Sequence, residues 1–134
     1  MTGRPLVRSS IGPVTATSES RRERLRVGPL EIVPHDNMAW AMGRGLILSG
    51  REFCLLTELA RRVDRPVPRD ELYVLVWGHD MRRGDRSIDV YVRKLRVKLE
   101  KALPEWRFIH THFGAGYRLT AERLSASNGL DSTR

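Results

Sequence analysis

The sequence predicts an α+β fold in which a small antiparallel meander leads into three helices and closes with a β-hairpin. Three observations carry that reading. Between Leu25 and Leu48 the apolar residues come in short runs (LRV, LEIV, MAWAM, LIL) cut by GP, PHDN and GRG. From Ser49 to Leu103 they recur at three and four residues instead. After Pro104, two apolar runs flank a GAG triplet. Short runs between turn residues suit strands, the longer period suits helices, and a glycine turn between strands makes a hairpin.

The first helix begins at Ser49. Glu52 stands three residues on, the spacing of a capping box, where the hydroxyl accepts from the first turn and the carboxylate reaches back. Phe53, Leu56, Leu59 and Ala60 follow on one stripe, and the helix is expected to stop near Val63. Pro66-Val67-Pro68 is too rich in proline for a central strand and reads as an edge segment or connector. Asp70–Trp77 gives a short second helix with Leu72, Val76 and Trp77 inward and Gly78 at its end. The polar loop GHDMRRGDR leads to a third helix from about Arg86 to Leu103, with Pro104 beyond it. RFIHTHF, GAG and YRLT form the hairpin. Residues 1–23 mix Gly, Pro, Ser, Thr and Arg without a period and read as a flexible basic tail, as does the polar stretch 122–134. The domain is then 24–121. Helices joined by a loop and followed by a two-stranded wing describe a winged helix-turn-helix, whose third helix reads bases.

Composition narrows the partner. The 134 residues suit one compact domain with tails, and 24 Lys and Arg against 16 Asp and Glu give a net charge of +8. A polyanion is the usual counterpart of such charge, and DNA, RNA and anionic membrane surfaces all qualify. Cys54 is the only cysteine, which excludes an intrachain disulfide and a Cys-rich zinc site. No apolar run is long enough to span a bilayer, and the N-terminus lacks a secretory apolar core. The expectation is a cytoplasmic protein with no membrane partner and no cofactor.

The third helix separates into two faces at 100° per residue. Ile88, Val92, Leu95 and Leu99 form a core stripe with Tyr91 and Ala102 on its border. The opposite side carries Arg86, Arg93, Lys94 and Lys101, with Arg96 and Lys98 on the flanks. Six cations against Asp89 and Glu100 are one-sided, whereas a merely solvated helix more often interleaves both signs. Val90 and Val97 project from the middle of this basic face, and the thymine methyl in the major groove is a matching apolar contact.

Several motifs resemble the OmpR/PhoB-type winged-helix response regulators. DRSIDVYVRKLRVKLE (Asp85–Glu100) resembles their recognition helix, LSGREFCLLTELA (Leu48–Ala60) their first helix, PRDELYVLVWG (Pro68–Gly78) their second, and THFGAGYRL (Thr111–Leu119) their wing. The resemblance covers about Leu25 to Thr120 and implies a four-stranded N-terminal antiparallel sheet, a three-helix core and a C-terminal hairpin. It implies transcription control at direct-repeat promoter sites in double-stranded DNA, usually as a tandem dimer. By position it places Arg86, Ser87, Val90, Tyr91, Arg93, Lys94, Arg96 and Lys98 on DNA, with Thr111 on a wing phosphate. Val97, Lys101, His112 and Arg118 join them from the basic face and the wing. The loop His79, Asp80, Met81, Arg82 and Arg83 matches a segment that touches RNA polymerase (sigma or alpha subunit) in activators of this family.

Three departures stand out. Phe113 occupies the wing position where the family usually has a minor-groove arginine, which implies weaker wing readout or a role for His112. Tyr91 replaces a common histidine. The family also carries an N-terminal receiver domain with a phosphorylatable aspartate, and nothing in this sequence is long enough to be one. That leaves an excised effector domain or an orphan regulator controlled another way. Among other classes, an enzyme or metal site built on His110 and His112 lacks a completing Cys or carboxylate pattern. A general RNA binder does not require the helix-plus-wing order, and a protein-interaction module remains possible on fold alone.

Overall fold

The computed structural model describes residues 23–124; of the tails expected at 1–23 and 122–134, residues 1–22 and 125–134 lie outside the described residues. Four short strands, β1 (Leu25–Val27), β2 (Leu30–Val33), β3 (Met38–Ala41) and β4 (Arg44–Gly45), pair antiparallel in sequence order. Three helices follow: α1 (Gly50–Ala60), α2 (Arg69–Trp77) and α3 (Ser87–Ala102). Strands β5 (Trp106–His112) and β6 (Gly116–Arg123) form the terminal hairpin. This is the winged helix-turn-helix expected from the sequence.

The meander presents alternate residues inward. Leu30 and Ile32 of β2 are fully buried while Glu31 between them turns outward to accept from Arg24. The β1–β2 turn needs Gly28: its φ is +58°, and a Cβ there would lie 2.5 Å from the Cβ of Ala121. The first sheet is thereby pressed against the C-terminal hairpin.

In α1 the capping box closes both ways. The Glu52 N–H donates to Ser49 Oγ at 3.2 Å, and the Ser49 N–H donates to Glu52 Oε1 at 2.8 Å. The helix ends at Ala60 and unwinds through turns to Asp64, rather than stopping at Val63. Its buried face is wider than one stripe. Leu55, Leu56, Leu59 and Ala60 are buried, and Phe53 is only half-buried. The cause is position: α1 packs against β1, β6, α2 and α3 together.

In α2, Leu72 and Tyr73 are the buried residues. Val76 and Trp77, expected inward, are half-buried, with Trp77 stacked on Tyr73 at 4.6 Å between centroids. Gly78 closes the helix in the left-handed conformation, where a Cβ would be strained. Ile88, Val92, Leu95 and Leu99 of α3 are all buried, so the core stripe stands as expected.

The hairpin has an additional neighbour. Val67 and Tyr117 exchange both backbone hydrogen bonds, at 2.7 and 3.0 Å. The proline-flanked connector thus acts as an edge strand of the wing. Gly116 makes this approach possible: its φ is +115°, and a Cβ would fall 1.9 Å from the Val67 carbonyl oxygen. Strand β6 continues to Arg123, past the boundary at 121, because Arg107 and Trp106 pair with Glu122 and Arg123.

Candidate nucleic-acid interface

Burial of one α3 stripe fixes what the helix shows to solvent. Val90 and Val97 are 47% and 51% exposed, and Arg93, Lys94 and Lys101 around them are exposed. Among the described residues, none of these three cations has a carboxylate within 4 Å. The Lys94 ammonium lies 4.9 Å from the Tyr91 ring, and Tyr91 in turn meets Trp77 edge-on at 5.6 Å. Tyr91 is half-buried, so its ring is a strut between α2 and α3 as well as a neighbour of the outer face. Arg86 stands at the N-cap position with no side-chain cap bond, exposed and 3.5 Å from Asp89. The Ser87 N–H donates to Asp85 Oδ1 at 2.7 Å and starts the first turn. The Ser87 side chain, and then this backbone bond, hold the Asp85 carboxyl below the usual carboxylate range.

The flanking cations behave differently. Arg96 and Lys98 stand among the expected DNA contacts, yet both have protein partners. Arg96 donates through Nε and Nη2 to the Ile109 carbonyl at 3.2 and 3.0 Å, and through Nη2 to Thr111 Oγ1 at 2.7 Å. Its guanidinium also lies 5.7 Å from the Tyr117 ring centre. Lys98 donates to Glu52 Oε1 at 2.6 Å, and that carboxylate is buried. Burial alone would raise the Glu52 carboxyl, but Lys98 and the Ser49 cap outweigh it and hold the group below its ordinary value. The reason for both departures is angular. Residues on the flanks of the wheel face β5 on one side and α1 on the other.

Asp89 is the site residue that sequence reasoning missed as a hub. It accepts from the Tyr117 hydroxyl and lies 3.2 Å from the Arg69 guanidinium. Burial, then the Asp89 contact, pushes the Tyr117 phenol up to about 12. The only local signal was one of two acids on a mainly basic helix, and its partners come from α2 and β6.

On the wing, Thr111 is exposed and faces Arg96, while His110, His112 and Arg118 share the other face. Arg118 Nε donates to His112 Nε2 at 2.9 Å, which requires that nitrogen to be unprotonated. Burial and then the Arg118 charge push the His110 imidazole below its ordinary value. Phe113 at the tip is 95% exposed. A cleft of about 450 Å³ separates the tip from the start of α3, with Arg69, Arg86, Asp89, Thr111 and Phe113 among its walls. In the loop between α2 and α3, Met81 packs against the core, His79 sits edge-on to Tyr73 at 5.5 Å, and Asp80, Arg82 and Arg83 are exposed.

Residues 43–119 match the family model described as "Transcriptional regulatory protein, C terminal". The chain belongs to this family of OmpR/PhoB-type domains. Within it, the chain is 38% identical over 104 residues to the transcriptional regulatory protein PrrA of Mycobacterium leprae, covering 78% of this chain and 44% of that protein. It is 38% identical over 107 residues to the DNA-binding dual master transcriptional regulator RpaA of Synechocystis, covering 80% and 43%. The chain thus spans less than half the length of these curated relatives. Among solved structures, the DNA-binding domain of Escherichia coli CpxR superposes with a TM-score of 0.67 at 32% identity, over 73% of this chain and 96% of that one. The Klebsiella pneumoniae RstA DNA-binding domain, solved in complex with the RstA box, gives 0.66 at 31% identity, over 73% and 97%.

Proposed function

We propose that this OmpR/PhoB-type domain binds promoter DNA in a sequence-specific manner and regulates transcription from it. The observation that carries the reading is the outer face of α3, where two exposed valines sit among cations that have no carboxylate partner within the described residues. Arg86, Arg93, Lys94 and Lys101 supply phosphate contacts or guanine readout, while Val90 and Val97 meet thymine methyls. The wing, carrying Thr111, His112 and Arg118, lies against the adjacent backbone. The Klebsiella pneumoniae RstA domain, similar in fold and 31% identical, was solved in complex with the RstA box, which supports DNA as the ligand.

Two finer points belong to the same proposal. Two copies bind in tandem on direct repeats, and the exposed Arg82 and Arg83 offer RNA polymerase a basic contact. The protein works in the cytoplasm, where the promoter is.

Selection of random duplexes on the purified chain, followed by binding across a salt series, tests the reading. A recovered consensus and a steep loss of affinity with salt are expected, since each phosphate contact contributes a slope of about 0.9. Recovery of no consensus, with all duplexes bound equally, would sink it. Val90→Asp is expected to cost more on the selected duplex than on random duplex. For the loop, alanine variants of Arg82 and Arg83 should bind DNA normally and activate poorly; full activation removes the polymerase contact.

A further inference from the structure

We propose that Phe113 is a wedge that enters a base step in the minor groove and kinks the duplex, an inference that rests on the DNA-binding reading above. The Ala115 N–H donates to the His112 carbonyl at 2.8 Å, and Gly114 between them has a φ of +81°. Those two facts define a type II turn with Phe113 at its leading corner. A side chain at that corner stands clear of both strands, and the ring is 95% exposed. No folding role accounts for it, since the core closes below it at Tyr117 and Leu119.

The platform under the ring is stiff. Val67 pairs with Tyr117 on the hairpin's outer edge, Tyr117 donates to Asp89, and Arg96 ties β5 to α3. A wedge needs such backing, because a mobile tip would lose ordering entropy on insertion. The cleft between Phe113 and α3 is lined by Arg69 and Arg86, both paired with Asp89, and by Asp70. The cations with no carboxylate partner among the described residues stand on the outer face of α3. With α3 in the major groove, a phosphate strand lies between helix and wing, and the tip then meets the neighbouring minor groove.

A lone apolar ring on an exposed turn, beside the basic outer face of α3, matches a ligand that is anionic outside and flat and apolar within, which describes stacked bases between phosphates. A protein partner would favour a wider apolar patch, and the residues flanking Phe113 in the turn are His112, Gly114 and Ala115. Apolar side chains inserted at a base step partly unstack it and bend the duplex toward the major groove. Pyrimidine–purine steps unstack most easily, so the wing would favour TA or CA at its position.

The test uses the chain and the duplex recovered by selection on it, with 2-aminopurine at the step beneath the wing and end-labels reporting bend. Wild type is expected to bend that duplex by about 20° or more and to brighten the 2-aminopurine. Phe113→Ala should lose both signals and bind about tenfold more weakly, within the range set by base–aromatic stacking. Phe113→Leu should retain most of the bend. Tight wild-type binding without bend or brightening overturns the wedge and leaves the DNA reading intact, as does an alanine variant that equals wild type. If Phe113→Ala only prevents a second copy from joining the duplex, the ring is a protein contact and the wedge is overturned. Recovery of no duplex by wild type overturns the DNA reading and the wedge with it.

Discussion

The outward cations of α3 and its flanking cations share a helix and a charge but not a task. Arg93, Lys94 and Lys101 point to solvent, while Arg96 and Lys98 spend their hydrogen bonds on the wing and on α1. A charge counted on a helical wheel is therefore not yet a charge available to a ligand. Arg96 sets where the helix stands relative to the wing, and Lys98 where it stands relative to α1; in the proposed function the outward set meets phosphate and base.

The largest effect that would test this division is expected at Arg96. Arg96→Ala removes three hydrogen bonds from a charged group, each in a class that contributes about 1.5–3 kcal/mol. Binding to the selected duplex should fall on the order of a hundredfold as helix and wing lose their fixed spacing. The slope of log affinity against log salt should stay unchanged, because no phosphate contact is lost. A slope smaller by nearly one unit would place Arg96 on DNA and break the comparison.

Lys98→Met comes next. It leaves the buried Glu52 carboxylate with only the Ser49 cap, at a cost of about 1–3 kcal/mol in unfolding free energy. Chemical denaturation reads this directly, and the salt slope of DNA binding should again be unchanged. A smaller loss is expected at the outward set. Arg93→Ala and Lys94→Ala should each weaken binding about tenfold, evenly across sequences, and reduce the salt slope by about 0.9. Neither should move the unfolding midpoint.

The smallest effect concerns pH. Glu52 is held below its ordinary value of 4.5. A carboxyl depressed in the folded state contributes stability above its unfolded value, and that contribution disappears as pH falls through the folded value. Wild type should therefore lose part of its margin over Lys98→Met as pH falls from neutral to below 4.5. Parallel stability curves for the two proteins would show that the pair contributes nothing.

What the sequence made legible was local or periodic. Ser49 and Glu52 are three residues apart, so their reciprocal cap could be read from spacing alone. The α3 stripe could be read because apolar residues recur at three and four positions. The second role of Glu52 could not, because Lys98 lies in another helix and no local pattern joins them. Asp89 likewise read as one acid among cations until Arg69 and Tyr117 were brought to it. Leu55 was missed because α1 is enclosed by four elements, and a one-sided stripe suits a helix with a single neighbour. The end of β6 looked like a tail because Glu122 and Arg123 are polar, yet Glu122 pairs with Arg107 of β5 and Arg123 with Glu105 just before it.

The bridge between Val67 and Tyr117 has a kinetic consequence. It joins positions about fifty residues apart, whereas the β5–β6 turn is local, and non-local pairings come late because loop closure must precede them. The hairpin can zip on its own turn, but it docks only after the helices between the two positions have assembled. Contacts made after the transition state govern unfolding more than folding. Weakening the Val67 edge should thus leave the chain folding at nearly its normal speed and shorten the time it stays folded.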